Sequence, residues 1–308
     1  MSTPQEKERR VQILMSTFNG EKYLDEQIQS LADQAGVHVS ILVRDDGSRD
    51  STCSILHKWE QKGILKWYKG TNLGPARSFM ELVFCAPPSD YYAFCDQDDV
   101  WDTNKLQVAL EKLEELPKHK PCIYFSNARL VDANLNKIGS TNLNPEISLG
   151  SALIINPVIG CTAVFNKELL AIARNFDHQD LYMHDGWIYR ICMAVGGAAV
   201  FDKTSHISYR QHSNNVVGGV RGTFYKRFVR RLKSATVNRR CTRLIDAKAL
   251  LAGYSELIQE PDRAKILLVA NYKKNIRSKL KLIISKEIKT NSTEHNISFV
   301  IAVLLGAF

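Results

Sequence analysis

No stretch of this chain has the length and apolarity of a membrane-spanning helix. The longest late apolar run, Ile297 to Phe308, has twelve residues including a serine, against the roughly twenty that a bilayer crossing needs. The opening Met1-Ser2-Thr3-Pro4-Gln5-Glu6-Lys7 is polar, so no secretory signal is expected. The seven cysteines are odd in number, scattered and without a C-x-x-C pair. They argue against a disulfide frame or a zinc site and suit the reduced thiols of a cytosolic protein. The basic residues come without a zinc finger, an RNA-binding aromatic stripe or a heptad zipper, which argues against a nucleic-acid partner. A soluble or surface-bound protein is expected.

What is present suits a globular enzyme. The 308 residues are 44% hydrophobic and 24% charged, enough for a sizeable core and about two domains. Lys and Arg number 41 against 32 acids, a net charge of +9. The excess is local: from Arg221 to Arg243 there are nine basic residues and no acidic one.

Apolar runs alternate with helical patterns. Strand signals lie at Val11–Met15, Val39–Val43, Leu65–Tyr68 and Tyr91–Phe94. Helical spacing follows each, through Leu24/Ile28/Leu31, Ile55/Leu56/Trp59, Phe79/Leu82/Val83 and Leu106/Leu110/Leu113. The last of these helices is expected to start near Asp102. Further strands are expected at Cys122–Ser126, Gly160–Phe165 and Ala198–Phe201. This β-α order predicts an α/β domain with a mostly parallel sheet. Ligands of such a sheet bind beyond the carboxyl ends of its strands. Ser16-Thr17, Asp45-Asp46 and the acids from Asp96 to Asp99 each follow a predicted strand, so one crevice can collect them.

The densest signal is Cys95-Asp96-Gln97-Asp98-Asp99-Val100-Trp101. Its three carboxylates repel one another unless a cation or abundant water neutralises them. Oxygen ligands suit Mg²⁺ or Mn²⁺, which often share their coordination with substrate phosphates. A diphosphate-containing substrate follows as the first hypothesis, and a solvated acidic turn capping the next helix is the plain alternative.

In order, Ser16-Thr17-Phe18-Asn19-Gly20, Asp45-Asp46-Gly47-Ser48, Asp96-Gln97-Asp98-Asp99 and His184-Asp185-Gly186-Trp187 resemble family 2 glycosyltransferases of the GT-A fold, over roughly residues 10 to 215. Gly160-Cys161-Thr162-Ala163-Val164-Phe165-Asn166 and Tyr209-Arg210-Gln211-His212-Ser213-Asn214-Asn215 are similar to the subgroup that includes bacterial rhamnosyltransferases of polysaccharide assembly. The resemblance implies a GT-A (Rossmann-like), mixed, mostly parallel sheet flanked by helices over residues 1–220. A basic helical C-terminal region is expected over residues 221–308. It implies inverting transfer of a sugar from a dTDP- or UDP-linked donor to a hydroxyl of a glycan or polyprenyl-diphosphate-linked acceptor. L-rhamnose from dTDP-rhamnose is the leading donor, with a UDP-sugar as the alternative. A nucleotidyltransferase would announce a Gly-rich basic loop near the N-terminus, where this chain has Ser16 to Gly20. A non-catalytic scaffold is disfavoured by the intact acidic box.

The same resemblance distributes roles. Asp98, assisted by Asp96 and a late His212, would hold Mn²⁺ or Mg²⁺. Asp185 would be the general base, or else the cap of the helix through Ile188, Ile191 and Cys192. Asp46 would accept a hydrogen bond from the uracil or thymine imide, with Asp45 structural. Ser16, Thr17, Asn19, Asn72, Gly74, Arg77, Gln97 and Arg210 would meet the donor. Arg77 reads equally as an exposed helix arginine. Asp99, Trp101, His184 and Trp187 would support the site or touch the acceptor, Trp101 and His184 more as packing groups. Gly218-Gly219 reads as a lid or a linker. From Gly222 onward, and again over Lys273–Ile284, basic and apolar residues interleave at helical spacing. This suggests attachment to anionic lipid on the cytoplasmic face of an inner membrane, with a solvated helical bundle as the alternative.

Overall fold

A computed structural model describes residues 9–211 and 241–308. In chain order the first elements are β1 (Arg10–Thr17), α1 (Leu24–Ala32), β2 (His38–Asp45), α2 (Thr52–Gln61), β3 (Leu65–Lys69), α3 (Pro75–Cys85) and β4 (Tyr91–Cys95). There follow β5 (Val100–Trp101), α4 (Lys105–Glu114), β6 (Cys122–Val131), β7 (Lys137–Ser140), α5 (Leu149–Ala152), β8 (Val164–Asn166), α6 (Lys167–Ala173), α7 (His184–Ala194) and β9 (Ala198–Arg210).

The four predicted N-terminal strands pair in parallel, in the order β3-β2-β1-β4. Their helices make the crossovers that parallel neighbours require. Beyond β4 the sheet is mixed. β8 runs antiparallel to both β4 and β6, β9 runs parallel to β6, and β5 closes the far edge antiparallel to β9. The period of a strand sets the two faces. Ile13 and Met15 enter the apolar layer with α1, α2 and α4, whereas Leu14 enters the layer with α3, α6 and α7. A central strand buried on both sides explains the apolar run Ile13–Met15, with Val11 and the buried Gln12 before it.

Some expectations differ from the fold. Gly160–Thr162 is a 3₁₀ turn and only Val164–Asn166 is strand, because the backbone N–H and hydroxyl of Thr162 both donate to the Ile159 carbonyl at 2.8 Å. The helix expected near Asp102 starts at Lys105. Asp102 instead forms a turn, its N–H donating to His206 O and its carboxylate paired with Arg129. β9 continues nine residues past the predicted Phe201, to Arg210.

The described C-terminal helices are Thr242–Tyr254, Asp262–Asn271, Ile276–Ile283 and Thr293–Leu305. Ala247, Leu250, Tyr254, Ile266, Leu282 and Phe299 belong to the same apolar cluster as Phe79, Leu169 and Trp187. Residues 212–240, which include the Gly218-Gly219 pair and the basic stretch from Gly222, lie outside the described residues. No described helix is long and apolar enough to cross a membrane.

Because Leu250 is fully buried in the shared cluster, Leu250→Ala should lower the unfolding free energy of the whole fold by about 2–5 kcal/mol. Chemical denaturation followed by tryptophan fluorescence checks this. Two transitions, of which only the weaker responds, would make the C-terminal helices an independent unit.

Candidate active site

Because β1, β2 and β4 run in parallel, their carboxyl ends open on the same side, and the polar clusters that follow them meet there. A cleft of about 1860 Å³ is lined by Ser16, Asn19, Asp46, Asn72, Gly74, Asp96, Gln97, Asp98, His184 and Asp185 among others. Its opposite wall comes from Ile154–Gly160 and from the last helix, through Glu294, His295, Ser298, Phe299 and Ala302. Ten residues singled out from the sequence therefore share one cavity. Thr17, Arg77, Asp99, Trp101, Trp187 and Arg210 do not line it, and His212 lies outside the described residues.

At the ends of β1 and β2 the cleft wall is a hydrogen-bond network. Asp45 is buried and accepts from Thr17 Oγ1 at 3.3 Å and from the N–H groups of Gly47 and Ser48 at 3.2 and 2.9 Å. That explains why Thr17 turns away from the cleft and why Asp45 is structural. Asp46 pairs with the buried Arg44 and accepts from Leu73 N at 2.8 Å and Gly74 N at 2.9 Å. Arg44 also donates to Ser78 Oγ at 3.0 Å, and Ser78 meets Ser16 at 2.6 Å. Arg44 and Ser78 were not anticipated. The signal for Arg44 was available, since residues two apart on a strand share a face. Gln97 fastens the β4 end to the β1 end, accepting from Phe18 N at 2.8 Å and donating to Phe18 O at 3.1 Å. A Cβ on Gly20 would lie 2.3 Å from Gln97 Oε1, so a larger residue there would push the Gln97 side chain off Phe18.

The acidic turn is the electrostatic centre. Asp96 is pushed up to about 7 by burial and then by the charges of Asp98 and Asp185. Asp99, fully buried, is raised well above the usual carboxylate range by burial and by the charges of its turn neighbours Asp98 and Asp96. Its Oδ2 has no hydrogen-bond partner. Asp96, Asp99 and Cys161 each offer a ligand atom within 4.8 Å of the others. An orphaned buried oxygen among mutually repelling acids fits a divalent cation, and the two carboxylates suit the hard ions Mg²⁺ and Mn²⁺, whereas burial keeps the Cys161 thiol protonated.

Arg210 stands behind this turn, not in the cleft, which corrects its expected contact with the donor. Its N–H donates to Asp99 Oδ1 at 3.0 Å and its Nε to Asp98 O at 2.7 Å. The guanidinium also binds Ala133 O and Glu26, and lies 4.4 Å from the Tyr23 ring centroid. Trp101 is likewise a core group, with the buried Lys105 Nζ 3.3 Å above its ring. Arg77 is held by Asp177 and the His178 carbonyl, and Trp187 is wholly buried.

Asp185 faces the acidic turn across the cleft. It is the second residue of α7, whose N-cap is Met183, so the capping alternative does not match its position. Burial pushes its pKa up to about 6, against the Gly186 N–H, the Asn156 side chain and the charge of Arg190. Desolvation thus outweighs the helix N-terminus. Arg190 is itself fixed by Asp246 at 3.1 Å, and His178 binds the same carboxylate at 3.1 Å. The helix Thr242–Tyr254 therefore reaches the surroundings of Asp185, a link that no local pattern announced. His184 stacks on Phe79 at 3.9 Å and meets the edge of Phe94 at 4.7 Å. Burial pushes it down to about 3, so it is neutral packing beside Asp185.

Residues 12–171 match the model of glycosyl transferase family 2, and the chain belongs to that family. It is a glycosyltransferase by that membership, with the mixed α/β sheet of the GT-A structures. Among curated proteins, dTDP-rhamnosyl transferase RfbG of Shigella flexneri is 29% identical over 224 residues, covering 66% of this chain and 73% of RfbG. Among solved structures, S. aureus TarS 1–349 in complex with UDP-GlcNAc superimposes with a TM-score of 0.58 at 17% identity, over 95% of this chain and 79% of TarS. The mannosyltransferase PcManGT from Pyrobaculum calidifontis, in complex with GDP-Man and Mn²⁺, gives 0.54 at 17% identity, over 98% and 88%. These two likenesses concern the fold.

Replacing Arg210 by Ala would remove the guanidinium's bonds to the Asp98 and Ala133 carbonyls. It should lower stability by about 1–3 kcal/mol and weaken Mn²⁺ binding by more than stability alone explains. Lysine there should restore stability in part, but not the metal affinity, because an ammonium cannot reproduce the guanidinium fork. Denaturation and Mn²⁺ titration of both variants check this. Unchanged metal affinity in both would show that Arg210 does not position the turn.

Proposed function

We propose that this protein is an inverting, divalent-metal-dependent glycosyltransferase. Its donor is a nucleoside-diphosphate sugar, dTDP-rhamnose first, and its acceptor a hydroxyl on a lipid-linked or polysaccharide glycan in bacterial surface-glycan assembly. The observation that carries this reading is the pairing of two carboxylate groups in one cleft, the Asp96–Asp98 turn on one wall and Asp185 on the other. The similarity to RfbG supports the rhamnosyl donor.

The roles follow from chemistry. Asp96 and Asp98, which line the cleft, would hold the cation, with Asp99 buried behind them. When bound, it stabilises as a Lewis acid the charge that develops on the departing diphosphate. Asp46 has used three of its roughly four acceptor sites on Arg44, Leu73 and Gly74, which leaves one on Oδ2 for a thymine or uracil imide. Ser16, Asn72 and Gly74 shape the nucleoside wall. The acceptor oxygen attacks the anomeric carbon from the side opposite the diphosphate. The carbon–oxygen bond to the diphosphate breaks with its electron pair leaving on the diphosphate, and the acceptor's proton passes to Asp185. Residues 1–220 carry this chemistry, and the C-terminal region supplies the acceptor-side wall.

Asp185 must be unprotonated to act, so activity should be lost as pH falls. kcat/KM should rise with pH to a plateau that begins at or below about pH 6, since a bound cation lowers the value. Asp185→Asn should keep nucleotide binding and lower transfer by roughly 10²–10⁴. Steady-state kinetics with dTDP-rhamnose, and NMR of the product's anomeric configuration, check both. Wild-type turnover by Asp185→Asn, or a product with retained configuration, would overturn the base assignment.

A further inference from the structure

The last helices carry apolar side chains that nothing in the described fold covers. Ile276, Leu280 and Ile284 follow one another at i, i+4 and i+8, with relative exposures of 62, 48 and 73%. The buried side of the same helix is Leu282. A second stripe follows on the helix Thr293–Leu305, where Ile297, Leu304 and Leu305 are exposed and Ile301 is half-buried. The two helices meet where Lys279 Nζ donates to the Leu304 carbonyl at 2.9 Å. Single exposed leucines are ordinary, but two adjoining stripes at helical period form a patch of the kind that marks an interaction surface.

Charge identifies the occupant. Lys274, Arg277, Lys281, Lys286 and Lys289 are all exposed around the first stripe, and Glu287 is the one acid between positions 273 and 289. A second copy of the chain would bring two such basic rims together, which opposes self-association through this face. Nucleic acid would leave the apolar stripes without a role. A bilayer surface takes both features: aliphatic side chains enter the headgroup–acyl boundary, and lysine and arginine stems extend their charges to lipid phosphates. The cleft-lining residues Glu294, His295, Ser298, Phe299 and Ala302 lie on the helix that bears the second stripe, so contact at this face brings the cleft wall beside the membrane.

We propose that the helices Ile276–Ile283 and Thr293–Leu305 form the face by which this protein lies on an anionic lipid bilayer. The inference rests on the lipid-linked acceptor reading for its biological purpose, although the lipid contact itself needs neither donor nor acceptor.

Flotation of the full chain with phosphatidylglycerol-rich and with phosphatidylcholine vesicles, at low and high salt, tests it. The expected result is binding to the anionic vesicles that salt weakens. Ile276→Ser, Leu280→Ser and Ile284→Ser combined should reduce partitioning on the order of a hundredfold. Lys281→Gln with Lys286→Gln should reduce it about fivefold per residue. All five positions are exposed, and calorimetric binding of dTDP with Mn²⁺ to the same variants reports separately on the cleft. Loss of flotation with unchanged nucleotide binding supports the docking face. Failure of the wild type to float at low salt, or equal flotation by the triple serine variant, overturns it. A protein that floats as expected but binds no nucleotide supports the face and refutes the sugar-transfer reading.

Discussion

Carboxylates gathered at the buried end of a sheet are the constraint on which this structure depends. A lone ionised acid in such a place loses much of its hydration, and neighbours of the same sign add to the cost. Asp96, Asp99 and Asp185 all show that cost as upward pKa displacements. The cluster is therefore held ready for a positive charge, which a divalent cation would supply in the proposed reaction. The same desolvation that makes the turn favour a cation places Asp185 near the range where a carboxylate can accept a proton at neutral pH.

Holding repelling groups in place takes cross-links from distant parts of the chain. Gln97 ties the acidic turn to β1, and Arg210 ties it to β9, α1 and the Ala133 carbonyl. On the opposite wall, Arg190 sits between Asp185 and Asp246. Each wall of the cleft thus has a buried arginine behind it that does not line the cavity. The C-terminal helices contribute to the second wall twice, through Asp246 and through the residues of Thr293–Leu305 that line the cleft. Their inner faces share the core with α3, α6 and α7, and their outer stripes remain available for a partner.

Much of this was legible in the sequence where the signal is local. The β1 and β4 strands are buried on both faces, and the polar residues at the ends of β1, β2 and β4 fall at the cleft by topology alone. Gly160-Cys161-Thr162 read as strand because small buried residues are apolar in either conformation, and the Thr162 bonds to Ile159 decide for a turn. β5 has two residues, too few for any period, and the later half of β9 is mostly polar, with only Asp202, His206, Ile207 and Arg210 buried past Phe201. Among site residues, Asp96, Asp98 and Asp185 could be placed from their motifs. Arg210 could be singled out but not oriented, since its partners lie 77 to 184 positions away. Arg190 and Asp246 gave no sign at all, because a buried ion pair between two helices leaves no local pattern.

The most direct measurement of the cation-dependent acidic centre is calorimetric titration of the wild type and Asp98→Ala with dTDP, each with and without Mn²⁺. Binding by the wild type should be tight only with the metal, and Asp98→Ala should lose that dependence. Equal binding with and without Mn²⁺ in the wild type, or unchanged metal dependence in Asp98→Ala, would contradict a cation centre at Asp96–Asp99.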